Sequence, residues 1–398
     1  MNLLIIEPEY RGHHIALHFN SILEEGLKRN WNISILTSES LKRTQAFNLI
    51  KKKNLKKLNF FFLRENNFNS RRDIFYLLYV QFIKYKNIIN SIKSIISKKK
   101  INHIYFITLD HIDKILSIKG LKINDVSFSG MQIYSKVYLK EKAISKRFLQ
   151  IVKKLLFFRL VNLPNLKCLF VVDGFFFKFY NKYNLKKIVY VPDPGAIHYK
   201  ISKKKSRKKL KININKDFII LVYGAIKTSK GIYQLVSAIK EINNRYIKVI
   251  LAGEQTNEVK FFFKQNENLK LIKNKRILIF EGFKNYMEES ILFSAADIVW
   301  VAYNNEFFGS SSVLYQAGAL AKPVITNKNG LLGHINRKNR IGICVNINDK
   351  RDIMNGIFTL YNSKNLRKNL GKNNFNLSKK HSTENFSKII CDRLTNDR

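Results

Sequence analysis

Acidic residues are scarce in this chain of 398 residues: 28 Asp and Glu stand against 72 Lys and Arg. Proline (5), glycine (17) and cysteine (3) are also few. So few breakers, with 45% hydrophobic residues, exclude collagen-like, linker-like and disordered classes and leave a chain that folds around a sizeable core. Cys168, Cys344 and Cys391 are odd in number, far apart and without C-x-x-C spacing. That pattern supports neither a disulfide framework nor a zinc knuckle, and it fits a reducing compartment. No uncharged apolar run approaches the ~18 residues of a membrane-spanning helix. MNLLIIEPEY reaches Glu7 after a few apolar residues, so it reads as a buried first strand and not as a signal-peptide core. The expectation is a soluble or peripheral protein.

What is present in excess is positive charge, a formal net of +44. Such a balance points to a polyanionic partner: nucleic acid, an anionic membrane face or a phosphorylated substrate. Lys, Asn, Ile, Phe (30) and Tyr (18) are inflated together, however, and share AT-rich codons, so codon bias competes with function as the source of the lysines. Charge alone does not choose a function.

The length suggests two or three domains at roughly 100–200 residues each. Short apolar runs alternate with helical patterns twice, which is the pattern of βαβ units and parallel sheets. The first series holds LLIIE, ISILT, HIYFIT, VSFSG and CLFVVD, with a long helix over 71–100 and a basic helix over 144–160. The second holds DFIILVYG, VILAG, RILIFEG, DIVWVAY and PVIT. Between them, at 191–216, Pro192 and Pro194 precede a run of like charge, read as a hinge. The expected fold is α/β, two doubly wound Rossmann-like domains facing a central cleft. Residues 1–195 form the first domain and 196–380 the second, with a helix at 381–398 packing back towards the first.

Three turns carry the candidate chemistry. EPEYRGHHI puts Gly12 where helix N-terminal amides can approach an anion, followed by His13 and His14, of which adjacent positions allow only one to face a ligand. A turn glycine and structural histidines are the plainer alternative. The missing G-x-G-x-x-G argues against a dinucleotide dehydrogenase. In YGAIKTSKGIYQLVSAI a strand ends at Gly224, the loop carries Lys227 and Lys230, and Gly231 opens a helix, so a lysine is brought to an anion-attracting helix start. Lys227 reads equally well as a solvated surface residue. YNNEFFGSSSVLYQAGALAKPVIT is the densest constellation: Ser311 and Ser312 can cap a helix and offer amides and hydroxyls to a diphosphate, while Glu306 and Gln316 can bond sugar or ribose hydroxyls. Alone, each is an ordinary cap or polar residue.

These motifs, in their order, resemble the nucleotide-sugar-binding domain of the large retaining GT-B glycosyltransferase group, family 4. The likeness covers most of 217–398. The first half matches only in its βαβ pattern and the RGHH turn. The resemblance implies that Lys230 contacts the donor diphosphate and that the position of Gln316 contacts ribose. It also implies transfer without a bound metal or cofactor, the nucleotide-sugar being substrate. Counting back from Pro323, the family's two acids fall on Phe308 and Gln316, with Glu306 out of register by two, and its usual arginine falls on Ala225. Expected catalytic residues are Lys230, Glu306 and His13; expected donor-binding residues are Gly12, Gly224, Lys227, Ser311, Ser312 and Gln316.

The expected activity is hexosyl transfer, retaining and metal-independent, to a saccharide or lipid-linked saccharide in cell-surface polysaccharide or glycan assembly. The protein would be cytoplasmic and peripheral on the inner membrane face. The alternatives are a basic nucleic-acid-binding protein, which lacks any supporting motif and ranks below, and a GT-B epimerase or phosphorylase on a related nucleotide-sugar.

Overall fold

A computed structural model of the chain describes residues 1–8, 14–44, 47–48, 50, 57–64, 68, 73–123, 125–133, 144–197, 199–305, 307 and 309–396. The chain divides into two units, Met1–Pro192 with Thr383–Arg398, and Asp193–Ser382.

The first unit is built on a parallel sheet of seven strands: β1 (Asn2–Glu7), β2 (Asn32–Ser38), β3 (Leu58–Leu63), β4 (His103–Phe106), β5 (Ser127–Gln132), β6 (Leu166–Val171) and β7 (Ile188–Tyr190). Their order is β3-β2-β1-β4-β5-β6-β7. Alternate residues of β1 enter different cores, Leu4 and Ile6 on one face and Leu3 and Ile5 on the other, because strand side chains alternate and both faces are covered. The helices are α1 (Asn20–Lys28), α2 (Ile74–Ile96), α3 (Asp113–Lys119), α4 (Ile144–Val161) and α5 (Gly174–Asn181). The last helix of the chain also belongs to this unit: Phe386 and Ile390 are fully buried in the core that α1 closes, and Arg29 Nη2 donates to Asp392 Oδ1 at 2.6 Å.

The second unit has six parallel strands: β8 (Phe218–Tyr223), β9 (Ile247–Gly253), β10 (Ile277–Glu281), β11 (Ile298–Val301), β12 (Val324–Asn327) and β13 (Gly342–Val345), in the order β10-β9-β8-β11-β12-β13. The order reverses direction between β8 and β11. In a doubly wound sheet that switch point opens a crevice at the carboxyl ends of the strands. Its helices are α6 (Lys203–Lys209), α7 (Ile232–Glu241), α8 (Asn257–Lys264), α9 (Asn266–Lys273), α10 (Tyr286–Ala295), α11 (Ser312–Ala319), α12 (Gly330–Asn339), α13 (Lys350–Asn362) and α14 (Lys364–Lys380), with α15 (Thr383–Thr395) closing the first unit. β3, β7 and β13 have no counterpart among the runs read from the sequence. Each is an edge strand; β7 and β13 are only 3 and 4 residues long, whereas β3, LNFFFL, is an apolar run that was passed over.

The lysine-rich run read as part of a hinge forms α6 instead. Arg207 anchors it. Its guanidinium is 2% exposed and donates to the carbonyls of Ala295 (3.1 Å), Ile214 (2.9 Å) and Asp217 (2.8 Å) and to Asp297 Oδ2 (2.6 Å). Asp297 also accepts the Ile219 amide at 2.7 Å, which ties the helix to the start of β8. Removing one partner of a buried ion pair leaves the other charge uncompensated. Arg207→Ala should therefore destabilise the second unit by about 3–5 kcal/mol. Urea unfolding at neutral pH checks this, and an unchanged midpoint would show that the pair is dispensable.

Candidate functional site

The site begins at the turn from β8 into α7. Gly231 adopts φ 68°, and a Cβ there would stand 2.4 Å from the Ala302 carbonyl oxygen, so only glycine permits this approach. The contact brings the Thr228–Lys230 turn against the end of β11, where Trp300 Nε1 donates to Lys230 O at 2.9 Å and the Asn304 amide to Ser229 O at 2.9 Å. The Lys230 ammonium consequently turns inward. Its Nζ donates to the Tyr223 carbonyl and to the Tyr303 hydroxyl at 3.4 Å, and lies 5.1 Å from the centre of the Tyr303 ring. Gly224, with φ 89°, leaves room beside it: a Cβ would come within 3.3 Å of Nζ. Lys227 is exposed.

Tyr303 passes the network to the next turn, its hydroxyl lying 3.0 Å from Ser311 Oγ. This corrects the expectation that Ser311 caps α11 with its side chain. Ser311 occupies the N-cap position but makes no side-chain capping bond, because its hydroxyl faces Tyr303. Ser312 is the first helical residue and is buried. Asn327 fastens the start of this segment, its Nδ2 donating to Tyr303 O (3.0 Å) and Asn305 Oδ1 (2.8 Å).

One turn into α11, Gln316 is 4% exposed and its Nε2 donates to Glu289 Oε1 at 2.7 Å. Glu289, from α10, also accepts the Tyr223 hydroxyl. Burial pushes the Glu289 carboxyl up to about 7, with the two hydrogen bonds pulling the other way, and burial likewise raises the Tyr223 phenol. With its Nε2 committed to Glu289, Gln316 keeps its carbonyl oxygen as the acceptor that remains. Lys230, Tyr223, Glu289 and Gln316 thus form one connected set, as do Lys230, Tyr303 and Ser311. Gly12, His13, Glu306 and Phe308 lie outside the described residues, and of His14 only the backbone is described.

Tyr223, Tyr303 and Glu289 were not singled out in the sequence. The two tyrosines carried a usable signal, since each sits at the carboxyl end of a strand in a motif that was read. Glu289 carried none: on α10 it follows Glu288 and looks like an acid of an exposed first turn.

Residues 202–377 match the family described as Glycosyl transferases group 1. This stretch is a group 1 glycosyltransferase domain. An uncharacterized glycosyltransferase of Methanocaldococcus jannaschii is 31% identical over 164 residues, 41% of this chain and 44% of that protein. The chain thus spans less than half the length of this curated relative. Among solved structures, sucrose-phosphate synthase of Thermosynechococcus elongatus matches with TM-score 0.75 and 14% identity, covering 98% of each chain. Anabaena HepE in complex with UDP and glucose matches with TM-score 0.69 and 14% identity over 99% of each. The α/β fold, two parallel sheets with covering helices, is that of GT-B glycosyltransferases.

Outside the group 1 domain, the first unit holds a second polar cluster at the carboxyl ends of its strands. Thr108 Oγ1 donates to Glu7 Oε2 (3.1 Å) where Glu7 is 1% exposed, and Thr37, beside Glu7 in register, is buried, its hydroxyl having no partner among the described residues. Gln132 Nε2 donates to Asp113 Oδ2 (3.1 Å), and the Gln132 carbonyl oxygen has no partner among the described residues.

The Glu289 carboxyl yields a stability prediction. It binds its proton near pH 7 when folded, against 4.5 for an ordinary glutamate, so between those values the folded state holds more protons than the unfolded chain. Stability contributed by this group is therefore present below about pH 4.5 and is lost as pH rises to 7, at most about 3 kcal/mol. Glu289→Gln, which stays neutral, should gain on the wild type between pH 5 and pH 8 when urea midpoints are compared. Parallel pH profiles for the two proteins would show that Glu289 ionises normally.

Proposed function

We propose that the chain is a glycosyltransferase that moves a hexosyl group from a nucleotide-sugar to a hydroxyl of a saccharide or lipid-linked saccharide, in the assembly of cell-surface polysaccharide or glycan. The observation that carries this reading is the Lys230 ammonium, anchored at the carboxyl ends of β8 and β11 between the Tyr223 carbonyl and Tyr303, beside the start of α11, within a group 1 glycosyltransferase domain. A relative solved with UDP and glucose supports a nucleoside diphosphate sugar as the donor.

In the transfer, the bond from sugar C1 to the diphosphate oxygen breaks and a bond from C1 to the acceptor oxygen forms. The acceptor proton leaves to a base or to water. Negative charge grows on the departing diphosphate, and a cation already fixed by its own hydrogen bonds stabilises it without reorganising. Lys230 takes that role, with Gly224 giving the close approach and Ser311, Ser312 and Lys227 completing the anion site. The Gln316 carbonyl oxygen accepts from ribose. His13, Gly12 and Glu306 remain proposed contacts of the sugar and diphosphate.

The second unit takes the donor. The first takes the acceptor, with the cluster of Glu7, Thr37, Thr108 and Gln132 as its hydroxyl-binding edge. Retention at C1 and independence from metal and cofactor are part of the proposal; anomeric NMR of the product and activity in chelator check them. A lipid-linked acceptor would place the enzyme on the inner face of the cytoplasmic membrane.

Lys230→Ala should lower transfer by roughly 10²-fold or more, the scale for loss of one preorganised charge-stabilising donor. Its melting temperature without ligand should stay near that of the wild type. A thermal-shift series with UDP, ADP, GDP and CDP identifies the base, since a ligand bound to the folded state raises its stability. Wild-type turnover in Lys230→Ala, or no shift with any nucleoside diphosphate, would sink the assignment.

A further inference from the structure

The outer surface of one helical layer in the first unit has no explanation in sugar transfer. α2, α3 and α4 cover the same face of the sheet, and their inward residues, such as Ile88, Leu116 and Phe157, share one core. Their outward side is apolar as well. On α2, Phe75 is 80% exposed, and the exposed Tyr79 and Phe82 follow at i+4 and i+7, one stripe of a helix. On α4, Phe148 (72% exposed), Ile151 and Leu155 (64% exposed) make a second stripe at i, i+3 and i+7.

Two contacts across α3 join the stripes into one surface. Lys119 Nζ lies 5.2 Å from the centre of the Phe82 ring, and Arg159 Nη2 donates to the carbonyl of Ile118, itself exposed, at 3.3 Å. α3 has 7 residues against 23 in α2 and 18 in α4. Gln81 Nε2 donates to Asp113 at the first turn of α3, so the two turns of α2 before Gln81, with Phe75 and Tyr79, project past it. Neither α2 nor α4 contains an Asp or Glu.

Charge selects the occupant. A second copy meeting this face through a two-fold axis would set basic helices against the same basic helices, which repel. Nucleic acid would engage the cations but leave the phenylalanine and leucine stripes in water. An anionic bilayer accepts both, with apolar side chains in the headgroup boundary and Lys and Arg against lipid phosphate. No helix among the described residues is long and apolar enough to cross a membrane.

We propose that the outer face of α2, α3 and α4 docks on an anionic lipid bilayer, with Phe75, Tyr79, Phe148 and Leu155 entering the interface and Lys119 and Arg159 contacting headgroup phosphates. This names the surface behind the membrane location proposed above, and it does not depend on sugar transfer.

The test is sedimentation of the full chain with vesicles of phosphatidylcholine alone or containing one-third phosphatidylglycerol, at low and at physiological salt. The wild type should sediment with the anionic vesicles at both salts and leave most protein in solution with the neutral ones. Phe148→Ser with Leu155→Ser, and separately Phe75→Ser with Tyr79→Ser, should each cut the bound fraction's partition constant by about tenfold, since each removes large apolar side chains from the interface. These side chains are exposed, so melting curves should not change, and nucleoside diphosphate binding serves as a second check on folding. Three results overturn the proposal. The protein ignores anionic vesicles at low salt; or it binds them equally well with and without the apolar residues, which is adsorption of a polycation; or sedimentation velocity shows a dimer that the apolar variants dissolve, which makes the occupant a second copy.

Discussion

Gly231 is the constraint on which the candidate site depends. Its left-handed backbone and its approach to the Ala302 carbonyl press the β8–α7 turn against the end of β11. Two hydrogen bonds, from Trp300 and Asn304, then fasten that turn from the neighbouring strand. Lys230 is half-buried in this position, held by the Tyr223 carbonyl and the Tyr303 ring. Any side chain at 231 would lift the turn and carry the ammonium away from both. A surface lysine loses rotamer entropy on binding an anion, whereas one already held by its own scaffold loses less, and this is the physical content of preorganisation at the site.

A second constraint works through burial of charge. Glu289 places a carboxyl where little water reaches, and the protein satisfies it with one amide and one phenol, both neutral donors. Because neither partner is a cation, desolvation prevails and the carboxyl holds its proton up to about pH 7. Arg207 and Asp297 show the opposite solution in the same unit, a full ion pair whose guanidinium is also saturated by carbonyls. The first arrangement leaves a group able to change protonation near neutrality.

The excess of basic residues divides in a similar way. Lys203, Lys248 and Arg207 neutralise Asp297 and Asp217 inside the second unit, so part of the charge is structural. α2 and α4 of the first unit contain no acid of their own, and their cations lie among exposed aromatic and aliphatic side chains. The same composition therefore serves a folded interior in one place and an amphipathic surface in another.

Strand and helix alternation, the two α/β units and the turns bearing Lys230, Ser311 and Gln316 were determined by the sequence itself, because hydrophobic period and breaker residues are local properties. β7 and β13 escaped because runs of 3 and 4 residues are too short for period or composition to mark a strand, and β3, LNFFFL, was passed over despite its apolar content. The lysine run of α6 escaped because a single buried arginine, paired 90 residues away with Asp297, outweighs five lysines. Tertiary structure alone decided that Ser311 turns to Tyr303 and not to its own helix, that Glu289 meets Gln316 from a different helix, and that Phe82 and Leu155 lie on one surface. Each of these depends on side chains brought together from distant segments, and sequence spacing fixes a side chain's direction only within its own element.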